Sequence, residues 1–515
     1  MQASHDSIHI TPAEWRWVVV FAVGLTVLAF VPFLWVAFSG ASGSEWQFMG
    51  VLNNYRDGAT YLSKMAQGVE GSWLVNFRHT PEPHTGVFIQ ALYPALGQLA
   101  RLLRIPPIAL FHAARVVASL IMYMALYYLG ASIWMRLRTR RMFFLLVAIG
   151  SGMGWFFSPL MDGDITFPDL SIAEIYPFYS SLVNVHFPLS LACLALLASI
   201  LIIEFRPGAT DNPSMSNGGL VAGLLSFALS LLFPQALVPF GAAVAAYIAA
   251  FWIQKRKITM RELRWLLVIV LPAVPVAAYY AAIVSYNPVV AEWNRQNITA
   301  APSPLIFVLG LGLPLLIALP GIYRAIRRFE ADGDRLMLLW LAAMVVLMYL
   351  PTNIQRRFMA GMMIPIVYFA TRSLEDFWFY YVNRRWRNRL LVVVIPIFVF
   401  TNLLLLVGNL RIAVGPFLQR DYAIAFQWLN QNTSSDAVVL ASEPVSVWIP
   451  SWVGARVVYG HPFETLNATV KEQQVLDWYD GQTADCADLI AEHSVQYVIF
   501  GPLEQELGQT DCLEN

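Results

Sequence analysis

Asn53-Asn54-Tyr55-Arg56-Asp57-Gly58-Ala59-Thr60-Tyr61-Leu62 lies between two long apolar segments, residues 17–38 and 110–134. It is polar and carries one acid. The stretch 57–67 places Tyr61, Leu62 and Met65 on one face, which suits a short helix lying at a membrane interface. The surrounding loop, 39–107, is too long to be a simple connector, and a loop of that length usually has a function of its own.

The wider chain explains why an acid here matters. Of 515 residues, 58% are hydrophobic and only 13% charged, against about a quarter charged in soluble domains. Apolar runs near the ~20 residues that cross a hydrocarbon core recur throughout. Spans are predicted at 17–38, 110–134, 142–160, 187–205, 218–233, 236–253, 265–284, 305–323, 336–350, 358–371 and 390–408, about eleven in all. Residues 86–103 are a further candidate, but Gln90, Gln98 and Arg101 argue for an interfacial helix. Arginine and lysine cluster at 136–141, 255–264, 324–328 and 384–389, in alternate connections, as cytoplasmic loops do. That pattern puts the N-terminus inside, with the loop 39–107 and the tail outside. The first segment is expected to stay as an anchor, because its apolar core exceeds the ~7–15 residues of a signal peptide.

After residue 409 the composition turns globular. Helices are predicted at 422–432, 471–479 and 485–493, and strands at 437–441, 456–459 and 496–500, an α/β alternation. The expected fold is therefore mostly α. A polytopic membrane module, 1–409, precedes a small extracytoplasmic α/β domain, 410–515. Of three cysteines, Cys193 is intramembrane, while Cys486 and Cys512 either pair in an oxidising compartment or stay as thiols. Net charge is zero, which says nothing about partners because the two signs are sorted by side; separately, no nucleic-acid partner is expected. No phosphate-binding Gly loop or zinc-type Cys/His spacing occurs, which argues against ATP-driven transport and against a cytosolic nucleotide-sugar enzyme.

Several polar residues are candidates for chemistry, each with a plainer alternative. Asp57 can act as a general base or cap a helix. Glu82, stiffened between Pro81 and Pro83, is the second acid of the same loop or part of a solvated turn. His79 and His84 beside it are candidate metal ligands. Asp162 and Asp164 suit a metal or an acceptor, or are merely solvated. His186 heads an apolar segment and can meet a phosphate. Arg356 and Arg357 sit outside against the positive-inside bias, placed to hold a phosphate or to snorkel to headgroups. Gly454-Ala455-Arg456 and Gly460-His461-Pro462-Phe463-Glu464-Thr465 either shape an acceptor pocket through Arg456 and His461 or are two turns around a strand.

Together these features resemble the C-type membrane glycosyltransferase superfamily, the GT-C fold, which includes protein mannosyltransferases and aminoarabinose transferases. The resemblance rests on Asp57–Leu62 with Gly71, on Tyr93-Pro94-Ala95-Leu96-Gly97, on Arg115, on His186-Phe187-Pro188, and on Arg356-Arg357-Phe358 leading to Pro365. Trp428-Leu429-Asn430 and Gly454-Ala455-Arg456 also look like tails of bacterial members. It implies inverting transfer of a sugar from a polyprenyl-phosphate-linked donor to a lipid, glycan or protein acceptor at the outer face, and the compact loops and scarcity of eukaryotic retention signals point to a bacterial plasma (inner) membrane. Asp57 would be the general base and a divalent cation, magnesium or manganese, a possible cofactor. Many members carry two adjacent acids where this chain has Arg56-Asp57-Gly58, which puts the metal in question. An O-antigen polymerase or ligase would carry a large outer loop between late spans, whereas 287–303 is short. A lipid or solute transporter would place ionisable groups at mid-depth, and these spans are nearly free of them.

Overall fold

Long apolar sequence becomes long helix, because a backbone in lipid must satisfy its polar groups internally. In a computed structural model, which describes residues 10–39, 45–161, 165–206, 217–330, 333–483, 485–508 and 512, seven helices are long and apolar enough to cross a membrane. They are Pro12–Val36, Pro107–Ile133, His186–Glu204, Pro234–Lys255, Met260–Tyr286, Pro304–Arg328 and Arg385–Gly408. A bent pair, Leu137–Ile149 with Gly154–Leu160, makes up to eight. The other predicted spans are helical but short. Asn217–Leu232 has 16 residues, Asp334–Leu347 has 14, and 358–371 splits into a 3-10 turn and the 11-residue helix Met363–Ser373. Outward faces stay apolar, with Val20, Ile253 and Leu305 more than half exposed, the surface of a multi-pass membrane protein and not of a soluble one.

The chain forms two compact units. The first comprises Met1–Phe30, Ala114–Tyr279 and Thr299–Gly408, and the second Val31–Ala113, Tyr280–Ile298 and Asn409–Asn515. The early loop therefore groups with the tail, whereas the division expected from composition left it with the membrane module. Composition reports solvent. It cannot report that distant segments pair.

The first unit is built on an aromatic and aliphatic core that includes Phe240, Tyr247, Trp340 and Tyr368. One buried charge there is matched: Arg140 Nη1 lies 3.0 Å from Glu14, which also accepts from Tyr127. The Pro304–Arg328 helix kinks at Gly312, where φ is +48° and a Cβ would meet Met153, a conformation and approach that only glycine permits cheaply. Arg115 donates from Nη1 to the Leu182 carbonyl at 2.8 Å, so it braces backbone.

In the second unit, β1 (Trp46–Phe48) pairs antiparallel with β2 (Phe417–Gln419), Trp46 opposite Gln419. Strands β3 (Val438–Leu440), β4 (Arg456–Val457) and β5 (Val495–Val498) form a parallel sheet in the order β4-β3-β5. The helices Arg420–Asn432, Ala468–Tyr479 and Cys486–Glu492 match the predicted periodicity. Trp478, Tyr479, Val475 and Leu440 pack one core, and Cys486 is disulfide-bonded to Cys512. The helix Tyr55–Val69 corrects the interfacial expectation. It is buried almost all round, Gly58 through Met65 included. The 12-residue helix Leu92–Leu103 packs against it, with Tyr61 stacked on Tyr93 at 4.2 Å. The two backbones meet where Gly68 faces Gly97, and a Cβ on Gly68 would come within 2.9 Å of the Gly97 Cα.

Candidate active site

Asp57 lies in the first turn of Tyr55–Val69, and Asn54 occupies the cap position. Asp57 is therefore not the helix cap. Its carboxylate is placed at the positive end of the helix dipole, which favours the ionised form. Oδ2 accepts from Asn54 Nδ2 at 2.6 Å, and Oδ1 meets His461 Nε2 at 3.2 Å. The His461 tautomer follows from its other nitrogen, where Nδ1 accepts from the amides of Phe463 and Glu464 at 3.1 and 3.2 Å. The ring proton is thus assigned to Nε2, which donates to Asp57. His461 is 4% exposed and Asp57 25%, so a fixed imidazole holds a carboxylate that a substrate can still reach.

A buried charge pair supports this arrangement. Lys64, two turns along the same helix, reaches Glu464 Oε1 at 2.5 Å and Thr60 Oγ1 at 3.2 Å, and Thr60 in turn donates to the Asp57 carbonyl. Lys64 is 1% exposed and Glu464 6%. Burial alone would raise the Glu464 carboxyl, but the Lys64 charge, then His79 and His461, hold it down at about 2. His79 donates from Nε2 to the Val447 carbonyl at 3.0 Å and turns Nδ1 toward Glu464 at 3.6 Å. Burial keeps its pKa below the ordinary value, against the pull of Glu464. Thr465 folds the 460–465 loop by accepting from the amides of Gly460 and His461 and donating to the His79 carbonyl. Gln296 clamps the same loop from another segment, donating to the carbonyls of Phe463 and Thr465 at 2.8 and 2.6 Å.

The remaining predicted residues separate into groups. Glu82 is ion-paired with Lys471 and accepts from Thr80. Burial would raise its pKa, yet Lys471 and Thr80 lower it overall. His84 accepts from the Phe77 amide and donates to the Glu82 carbonyl. Both of its nitrogens are thereby occupied. Arg456 pairs with Asp436 at 2.8 Å. Asp162 and Asp164 lie outside the described residues. In the same segment Asp169 is buried instead, accepting from the Gly154 amide at 3.0 Å and Thr401 at 2.6 Å, and burial pushes it up to about 6.

Arg356, Arg357 and His186 belong to the first unit. The Arg357 guanidinium lies 5.9 Å from the Phe233 ring centre, and the His186 ring lies 6.0 Å from the same centre. Two predicted anion-binding groups thus flank one aromatic ring. Arg356 is anchored by its amide to the Thr299 carbonyl at 2.9 Å, and its buried Nε has no hydrogen-bond partner among the described residues. Glu174 Oε1 and both side-chain polar atoms of Asn184 are likewise buried without a partner.

As for metal, no three His, Cys, Asp or Glu side chains gather to hold an ion among the described residues. Asp57 meets one histidine, and the second nitrogen of that histidine is occupied by amides. The other acids expected to bind a metal, Asp162 and Asp164, lie outside the described residues.

No family model matches the chain, and no curated protein sequence does. Solved structures do match. The oligosaccharyltransferase of Archaeoglobus fulgidus in its apo form superposes with a TM-score of 0.56 at 12% identity, covering 94% of this chain and 69% of that one. The same enzyme in complex with zinc and sulfate gives 0.53 at 13% identity, covering 93% and 67%. The chain has the GT-C fold. ArnT from Cupriavidus metallidurans, bound to undecaprenyl phosphate, also matches, with a TM-score of 0.47 at 12% identity over 97% of this chain and 90% of its own. Sequence reasoning missed Lys64 and Gln296, and gave His79 only as a candidate metal ligand and Glu464 only as part of the 460–465 cluster. Lys64 alone left a signal, a cation among the apolar positions of an amphipathic helix.

Proposed function

We propose that the chain is a membrane glycosyltransferase, moving a sugar from a polyprenyl-phosphate carrier to a lipid, glycan or protein acceptor. The observation that carries this reading is the Asp57 carboxylate, fixed on both oxygens yet a quarter exposed, within a GT-C fold. Asp57 takes the proton of the acceptor hydroxyl as that oxygen attacks the anomeric carbon. The bond from that carbon to the carrier phosphate breaks, and a single displacement inverts the centre. Charge accumulates on the leaving phosphate, and the role proposed for Arg356, Arg357 and His186 of the first unit is to bind a phosphate.

His461 and Asn54 are positioning residues that aim the base. Glu82 acts through Lys471 to hold the 78–84 turn, and no step runs through a metal. The arginine-rich ends of the membrane helices face the cytoplasm. The second unit then works at the outer face, in a bacterial plasma membrane.

The test is label transfer. Membranes carrying wild type or Asp57→Asn are incubated with radiolabelled polyprenyl-phosphate sugars. Carrier-dependent transfer that the substitution abolishes supports the reading. Transfer that survives it removes Asp57 as the base, and no transfer from any carrier by wild type removes the enzyme class.

A further inference from the structure

Within the first unit, the helices Leu137–Ile149, Pro304–Arg328 and Arg384–Gly408 enclose a crevice of about 1160 Å³. That exceeds the roughly 300–1,000 Å³ of a pocket for a drug-sized molecule. Its wall is aliphatic and aromatic, with Leu145, Leu316, Val394 and Phe398 among the lining residues, and its only charged lining residues among those described are Arg138, Arg141 and Arg387. Arg138 and Arg141 open one helix and Arg387 opens another, while Leu145, Ile149, Val394 and Phe398 come from later turns of the same two helices. The charge is therefore gathered at one end.

The arginines are unusually placed. Arg138 and Arg387 lie 5.4 and 5.5 Å from the centre of one ring, Phe379, so two like charges converge. Arg141 stacks at 4.6 Å on Trp17, and its buried Nε has no hydrogen-bond partner among the described residues. Nearby acids are already engaged, Glu375 with Thr139 and Asp376 with Arg324. None of the three arginines has a carboxylate partner among the described residues. Converging guanidiniums without a counter-charge above an apolar trough match a molecule with a phosphate head and long hydrocarbon tails.

We propose that this crevice binds one anionic glycerophospholipid, its headgroup phosphate on Arg138, Arg141 and Arg387 and its acyl chains along the apolar wall. The occupant comes from the leaflet at the basic end. Under the positive-inside rule that leaflet is the cytoplasmic one, opposite the face where the sugar carrier is proposed to act. The site stands whether or not the chain transfers sugar.

The experiment is native mass spectrometry of the full chain, released from nanodiscs of phosphatidylglycerol mixed equally with phosphatidylcholine. Wild type is expected to retain one phosphatidylglycerol, at least fivefold over phosphatidylcholine. R138Q/R141Q/R387Q abolishes that preference, whereas R256Q/K257Q/R328Q, which removes as much charge from exposed sites, preserves it. Leu316→Trp fills the trough with every arginine intact and also releases the lipid, which covers the event that the triple variant misfolds. Equal retention of the two lipids by wild type, equal loss in both triple variants, or displacement of the lipid by equimolar undecaprenyl phosphate would each overturn the proposal.

Discussion

Replacing Glu464 by glutamine leaves Lys64 as a buried cation without its counter-charge. Two routes give the cost. The Glu464 carboxyl sits at about 2 against an ordinary 4.5, and at ~1.4 kcal/mol per pH unit that gap is worth about 3 kcal/mol. Breaking a buried pair by removing one partner costs roughly 3–5 kcal/mol. Agreement near 3 kcal/mol predicts a fall of roughly 6–12 °C in the melting midpoint of the second unit. The assay is thermal unfolding in detergent, read by tryptophan fluorescence, because Trp448 and Trp478 are buried in that unit. The double variant Lys64→Met, Glu464→Met removes both charges and should recover most of the loss, since apolar replacement of a buried pair is often neutral. A single variant that melts with wild type would refute the argument, as would a double variant no better than the single. Acid provides a second check. With its folded pKa depressed, Glu464 contributes its full stabilisation above pH 4.5, and that contribution is lost as pH falls from 4.5 toward 2.

Four other outcomes follow from the same geometry. Burial lowers the His79 pKa below 6.5, so its contribution is complete above pH 6.5 and declines below it. The difference in melting midpoint between pH 7.5 and 5.5 should shrink in His79→Gln. His461→Ala frees Asp57 to drift, and kcat for sugar transfer should fall on the order of 100-fold with KM unchanged, whereas a purely structural role would move the melting point instead. Reducing the Cys486–Cys512 bond, which spans 26 residues, should cost about 3–4 kcal/mol of tail stability, measured by proteolysis with and without reductant. Gly97→Ala forces a methyl group into the Met65 backbone and should destabilise by about 1–3 kcal/mol, detected as earlier unfolding.

Legibility differed by element. Tail helices and strands were readable because their periodicities are local, and the helices were readable because apolar length is local too. Three predicted spans, 218–233, 336–350 and 358–371, form helices of fewer than 18 residues. Hydropathy registers that 336–350 and 358–371 are buried, but both lipid and a packed protein interior bury apolar residues. The short stretch 57–67 was misplaced in the same way, its apolar face packing on the Leu92–Leu103 helix.

By itself the sequence determined that the chain is a polytopic helical protein with an α/β tail, and that Asp57 heads an early helix. These follow from composition, period and spacing along neighbouring residues. Only the tertiary structure decided what Asp57 touches. His461 is about four hundred residues away in the chain, as Glu464 is from Lys64, and each looks like any other polar residue in a turn until folding buries it. A contact between distant segments depends on how whole elements pack, through glycines that let helices meet and strands that pair across the chain, and no local pattern encodes it.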